Sequence, residues 1–247
     1  MRSRRIAAIG LAGLVALSGC SSEPPRTPLT VYAAASLHDA FEEIASAFED
    51  RHPDVDVRPI VSDGSNVLVT QLREGARADV LATADEATMA RAGELVAESA
   101  IFATNTLVLV APRGETAVDE LADLADPHLD VVLCAPEVPC GAAARALLDA
   151  AGVEVTPASE EQNVTAVLTK VEAGDADAGL VYRTDAIGRD VVVIEPAEAA
   201  GIVSRYPIGV LRDAGEPDAA ADFVAFVTGP IGQEILAAHG FGAPGAP

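Results

Sequence analysis

Residues 29–48, LTVYAAASLHDAFEEIASAF, decide the fold. The stretch 29–35 is a short apolar run of β character. It passes directly into a helix whose apolar positions Leu37, Ala40, Phe41, Ile44 and Phe48 recur at the i, i+3, i+4, i+7 spacing of one helical face. A strand feeding an amphipathic helix is the repeating unit of a parallel α/β sheet. The unit recurs downstream: a strand is predicted over 55–61, a turn at 62–65, a helix from about 66 to 74 ended by Gly75, a strand over 78–82, and a helix capped by Asp85 that runs through Ala92.

A buried strand over 106–111 starts a second set of the same units. It comprises a helix near 118–125, a strand over 131–134, a helix over 141–151, a helix over 164–173, and strands over 178–182 and 191–194. A Pro-interrupted strand over 205–211 and two helices, 218–227 and 230–239, close the chain. There is no exact internal repeat; only the architecture repeats. The hydrophobic strands near 106 and 208 divide the chain into rough thirds, which fits two α/β lobes joined by two crossovers. One lobe is expected to be discontinuous, 29–105 plus 208–242, and the other to span 106–207.

Composition agrees with a globular α/β protein. The chain has 247 residues, 50% of them hydrophobic and 22% charged, enough apolar surface for a core and too much for a disordered chain. Acids outnumber bases 38 to 16, for a formal net charge of −22, and such a surface repels nucleic-acid phosphates, so no nucleic-acid partner is expected. The single lysine, Lys170, and the absence of Trp read as genome bias and carry no chemistry.

The N-terminus carries Arg2, Arg4 and Arg5, then twelve apolar or small residues over 6–17, then Leu17-Ser18-Gly19-Cys20. A basic start followed by an apolar run shorter than the ~20 residues that span a bilayer reads as a secretory signal over 1–19. Its ending resembles a bacterial lipobox, which predicts a lipid on Cys20 as the first mature residue and an extracytoplasmic, membrane-anchored protein. Residues 21–28 are polar and proline-rich and read, with Cys20, as a tether, so that folding is expected to begin near Leu29. Removing 1–19 deletes three arginines and no acid, leaving the chain more acidic still. With Cys20 lipidated, Cys134 and Cys140 remain as an even pair in an oxidising compartment, where thiols tend to form a disulfide. Metal binding competes for those cysteines, but one Cys-x5-Cys with four scattered histidines (His38, His52, His128, His239) lacks four-ligand spacing.

Three strand-to-helix junctions carry small polar residues: 33–36 (Ala-Ala-Ala-Ser), 64–66 (Gly-Ser-Asn) and 138–141 (Val-Pro-Cys-Gly). At such junctions the free N–H groups of the first helical turn and the positive end of the helix dipole favour an anion without any cationic side chain. Each feature has a plainer reading. Ser36 with Asp39 fits a helix N-cap, Ser65 after Gly64 a turn and cap, and Pro139 an ordinary helix start.

The strings TVYAAASLHDAFEEIASAF (30–48), GSNVLVTQLREGARADVLATAD (64–85), APEVPCG (135–141), NVTAVLTKVEAGDADAGLVYRTDA (163–186) and GQEILAAHGF (232–241) resemble, in order, the molybdate-binding proteins of bacterial ABC importers. The likeness spans roughly 28–242. It implies a two-lobed periplasmic-binding-protein-like (type II) fold, each lobe a mixed, mostly parallel sheet flanked by helices. It further implies a molybdate or tungstate ligand held between the lobes by neutral donors, no cofactor, no bare metal cation, and a membrane permease as partner to a monomeric protein. Carried onto this chain, the ligand contacts are Ser36 and Ser65 through hydroxyl and backbone N–H, Cys140 and Val164 through backbone N–H, and Tyr182 through its phenol. Taken without the resemblance, Val164 reads as a core valine and Tyr182 as a partly buried aromatic tip. Two places depart from the family pattern: Cys140 stands where alanine is usual, and Asp63-Gly64 with Asn66 replaces part of a serine-rich turn. A carboxylate at Asp63 would repel a dianion unless turned to solvent.

A fully deprotonated dianion only accepts hydrogen bonds, so a pocket of donors suits it, whereas monoprotonated phosphate must donate one and is disfavoured. Sulfate, another oxyanion or an organic solute are the alternatives within the binding class. An enzyme is not expected: Ser36-Leu37-His38-Asp39 looks like a hydrolase triad, but residues i and i+2 of a helix point to nearly opposite sides. There is no Gly-x-Ser-x-Gly elbow either. Asn163 reads as the cap of the helix beginning at Val164, and the Glu160-Glu161 pair as solvated surface.

Overall fold

The computed structural model describes residues 25–114 and 117–245; the signal segment and Cys20 lie outside them. The elements in chain order are β1 (Thr27–Leu29), β2 (Val31–Ala34), α1 (His38–Glu49), β3 (Val55–Val57), β4 (Val61–Asp63), α2 (Ser65–Arg73), β5 (Val80–Ala82), α3 (Glu86–Ala92), β6 (Val96–Asn105) and β7 (Leu107–Pro112). Then follow β8 (Val131–Cys134), α4 (Pro139–Ala151), β9 (Ser159–Glu161), α5 (Val164–Ala173), β10 (Ala178–Tyr182), β11 (Val191–Ile194), β12 (Ser204–Leu211), α6 (Pro217–Thr228) and α7 (Pro230–Ala238).

Two five-stranded sheets organise these elements, one in the order β4-β2-β5-β12-β6 and the other β11-β7-β10-β8-β9. In the first, β2 runs parallel to β4 and β5, while β12 runs antiparallel to β5 and β6. In the second, β10, β8 and β9 are parallel, and β7 is antiparallel to β10 and β11. Helices flank both, so the molecule is a two-lobed α/β structure. The chain leaves the first sheet at the end of β6 and returns at the start of β12, where Asn105 pairs with Ser204. Both crossings therefore run side by side.

Local chemistry explains the boundaries. The Asp85 carboxylate accepts the Thr88 N–H at 2.7 Å and starts α3, and Asn163 Oδ1 accepts the Ala166 N–H at 3.0 Å and starts α5. The apolar face of α1 buries Phe41, Ile44 and Phe48 completely. There Phe41 meets Phe102 edge-on with ring centroids 5.8 Å apart, and Phe48 meets Phe223 at 5.3 Å, the arrangement the ring quadrupole favours. Among the described residues no helix is long and apolar enough to cross a membrane.

Several expectations need correction. Ordered structure begins inside the stretch read as a tether: β1 pairs with β3, and Arg26 forms ion pairs with Glu49 and Asp56. The strand expected over 55–61 is two strands in different sheets, because the run is broken around Pro59, whose ring removes a ladder donor. The strand β6, ten residues long and exposed over its first half, was not foreseen. The helix expected near 118–125 is a 3-10 turn at Leu121–Ala125. Glu160 is exposed surface, as read, but Glu161 beside it in β9 is half-buried and ion-paired with Lys170. The return crossing is complete by Ser204, four residues before the expected 208.

Candidate ligand-binding site

The five residues singled out as contacts, Ser36, Ser65, Cys140, Val164 and Tyr182, all line one small cavity of ≈ 20 Å³ between the two sheets. Ser36 follows β2 and Ser65 opens α2, both from the first lobe; Cys140 opens α4, Val164 opens α5 and Tyr182 ends β10, all from the second. A larger cavity of ≈ 170 Å³ also takes residues from both lobes, but it is lined by the charged side chains of Asp39, Asp185 and Arg189. The remaining lining is small or uncharged, including Ala34, Ala35, Gly64, Ala84 and Asn163. Among the described residues no Lys, Arg, Asp or Glu lines the cavity, so anything held there meets neutral groups.

The donors come from helix geometry. The first N–H groups of α2, α4 and α5 have no intrahelical acceptor, and all three helices point these starts at the cavity. Close approach of the chains makes this possible. A Cβ on Gly64 would collide with the Gln162 carbonyl of the other lobe, and one on Gly141 would collide with the Ala135 carbonyl in the turn leading to α4. The Cys134 and Cys140 sulfurs are bonded to each other, fastening the end of β8 to the start of α4.

The plainer reading of Ser36 as an N-cap is incorrect. Residues Ala35–Leu37 form a 3-10 turn before α1, Ser36 caps nothing, and its Oγ lies 3.0 Å from Tyr206 Oη. Ser65 is likewise not a capping side chain; it is buried inside the first turn of α2, and its Oγ accepts the Ala84 N–H at 3.1 Å. Asn163 does cap α5, and its amide also reaches across the cleft to Asp63 at 3.0 Å. Asp63 is thus half-buried and held at the cleft. Its Oδ1 accepts both that amide and the Gly64 N–H at 2.6 Å, which points the carboxylate along the cleft edge and out of the cavity.

Tyr182 carries the most telling detail. Its hydroxyl is buried, and the atom has no hydrogen-bond partner of good geometry among the described residues. Burial, the largest influence, pushes the phenol pKa far above its ordinary value, against the opposing pull of the Ser204 and Tyr206 hydroxyls, so it stays a neutral O–H donor. A buried donor without an acceptor costs free energy unless something is bound against it.

Sequence reasoning missed Tyr206, Asn105 and Gln162. Tyr206 is fully buried behind Ser36, with its ring centroid 5.8 Å from that of Tyr182. The available signal was its place beside a crossover, in a chain with only three tyrosines.

Residues 29–242 match the family of bacterial extracellular solute-binding proteins. The molybdate-binding protein ModA of Mycobacterium tuberculosis is 44% identical over 97% of this chain and 96% of its own length. ModA of Escherichia coli is 31% identical over 86% of this chain and 88% of its own. Among solved structures, the periplasmic molybdate-binding protein of Azotobacter vinelandii superposes with a TM-score of 0.76 at 20% identity, covering 87% of this chain and 99% of that one. The sulfate-binding protein SubI of Mycobacterium tuberculosis superposes at 0.68 with 18% identity, covering 87% of this chain and 86% of that one.

Proposed function

The chain belongs to the family of bacterial extracellular solute-binding proteins, and we propose that it is an extracytoplasmic molybdate-binding protein serving an ABC importer. The observation that carries the ligand assignment is the convergence of five neutral donor positions from both lobes on one cavity, with an unpartnered phenol among them. Ser36 and Ser65 contribute hydroxyls and backbone N–H groups, Cys140 and Val164 backbone N–H groups, and Tyr182 its phenol. A tetrahedral dianion with only acceptors satisfies such a set, and the small cavity suits one compact ion. Tungstate, of nearly the same size and charge, fits equally. Closure of two lobes over the ion removes water, strengthens each donor contact, and presents a permease with a shape distinct from the open form. A lipid on Cys20 would hold the monomeric protein beside that permease. Relatives of this family are transport proteins, and nothing in the cavity pairs a nucleophile with a base: Ser36 faces Tyr206, while His38 is exposed on α1.

Calorimetric titration of the purified, ligand-free protein with molybdate, tungstate, sulfate, phosphate and one organic anion tests the assignment. A single site for molybdate and tungstate is expected, far weaker or absent for the others. Ser36→Ala and Tyr182→Phe each remove one hydrogen bond to a charged ligand and should weaken molybdate binding roughly ten- to a hundred-fold. Folded protein silent to both metal oxyanions would sink this reading, and a preference for sulfate would install the alternative anion.

A further inference from the structure

Behind Ser36 lies a chain of hydrogen bonds whose far end is oriented by the backbone. Asn105 sits at the crossover, and its Oδ1 accepts the Thr106 N–H at 3.0 Å. The amide is thereby oriented, and its Nδ2 must donate on the opposite side, to Thr184 Oγ1 at 2.8 Å and to Tyr206 Oη at 3.5 Å. Tyr206 Oη receives that hydrogen with its own O–H still to give. Ser36 Oγ lies 3.0 Å away, a contact in which either oxygen could donate, and with the Asn105 amide behind it Tyr206 Oη can give its hydrogen to Ser36. A serine oxygen that accepts from behind turns its single hydrogen forward, and Ser36 lines the cavity. Ser65 is arranged the same way, with the Ala84 N–H behind its oxygen.

From this geometry we infer that Tyr206, oriented by Asn105, is a positioning residue that fixes Ser36 as a hydrogen-bond donor to the ligand and thereby selects fully deprotonated oxyanions over protonated ones. The inference rests on the oxyanion reading given above and goes beyond it by naming a group outside the cavity as a source of selectivity. Without Tyr206 Oη, the Ser36 hydroxyl is free to rotate and to present a lone pair forward. Hydrogen phosphate must donate one hydrogen, so it is the anion that such a rotation would help. Polarisation along the chain also strengthens the last donor, which favours the acceptor-only ion. Burial holds Tyr206 protonated far beyond its ordinary range, so the relay is not undone by a rise in pH.

The test is a double-mutant cycle on the full protein at about pH 8, with molybdate and inorganic phosphate as probes and the melting temperature of the ligand-free protein measured alongside. Tyr206→Phe keeps the ring packed against Tyr182 and Phe102 and removes only the hydroxyl. Molybdate affinity should fall roughly ten-fold, phosphate binding should stay level or improve, and the ratio between them should fall at least ten-fold. In a Ser36→Ala background the same change should cost little, because the relay then has no donor to aim. A merely structural role would weaken both anions alike and add to Ser36→Ala in full, and either result overturns the inference, as does unchanged molybdate affinity in Tyr206→Phe. If the wild type binds sulfate in place of molybdate, the molybdate assignment fails and the cycle is read on sulfate with the same criteria. A wild type that binds no fully deprotonated oxyanion overturns both.

Discussion

Asp185 follows Tyr182 by three positions, in the 3-10 turn Arg183–Ala186 where β10 ends, and its environment predicts an unusual pH response. The residue as a whole is half-buried, yet its Oδ2 is closed off from solvent and has no hydrogen-bond partner among the described residues. Burial is the largest influence and pushes the carboxyl up to about 7 from an ordinary value of 3.8. A hydrogen bond from the Tyr182 backbone and the nearby Arg189 charge oppose the shift, while Asp39 adds to it; His38 and His239 line the same cavity of ≈ 170 Å³. Since the folded pKa is the higher one, between about pH 4 and 7 the folded state retains a proton that the unfolded chain has released. Stability from this group is therefore complete at low pH, declines as pH rises towards 7, and is flat above it. The loss is of order 2–4 kcal/mol. Asp185→Asn should flatten that decline and raise the melting temperature at pH 8 by several degrees. Thermal melts of both proteins from pH 4 to 8 check this, with the histidines common to both; identical slopes would refute it.

At the scale of elements, the Cys134–Cys140 bond joins the last residue of β8 to the first turn of α4. Closing a loop this short stabilises the fold by roughly 2 kcal/mol on chain-entropy grounds. The ligand contact proposed at Cys140 is a backbone N–H, which the side chain does not supply. Cys134→Ala with Cys140→Ala should therefore lower unfolding free energy by about 2 kcal/mol while changing molybdate affinity only a few-fold. Denaturant unfolding and titration of the same variant separate the two effects, and a loss of affinity beyond ~100-fold would show that the bond shapes the site itself. Which elements were legible in the sequence follows a physical pattern. The helix α1 and strands β7, β8 and β10 announce themselves because they are buried on one face or both, so periodicity or a continuous apolar run survives. Strand β6 hides because its first half, Ala97 to Ala100, is exposed and carries no large apolar residue, and only its pairing with β12 makes it a strand. The pair β1 and β3 is three residues on each side and exists through a tertiary contact. The site shows the same limit. Ser36, Ser65, Cys140, Val164 and Tyr182 could be named through family resemblance, whereas the partner of Ser36 lies 170 positions away on β12, a separation no local pattern encodes.

Across the whole molecule, the lobes are joined over the cavity by direct contacts. Asn163 Nδ2 of the second lobe donates to Asp63 of the first, Asn66 and Arg91 of the first both reach the Glu137 carbonyl of the second, and Gly64 packs against Gln162. Asp63 is where two effects compete. Its charge opposes a dianion nearby, while its bridge to Asn163 favours closure and steadies the residue that caps α5. The carboxylate accepts two N–H donors and stays outside the cavity lining, so its repulsion is partly neutralised and the bridge should win. Asp63→Ala removes the bridge and should speed molybdate dissociation roughly ten-fold, with association nearly unchanged because capture occurs in the open form. Asp63→Asn keeps an acceptor for both donors and removes the charge, so it should dissociate at the wild-type rate or more slowly. Stopped-flow dissociation of the three proteins decides the matter. If Asp63→Ala holds molybdate longer than the wild type, repulsion outweighs the bridge, and closure must then rest on the Asn66 and Arg91 contacts to Glu137.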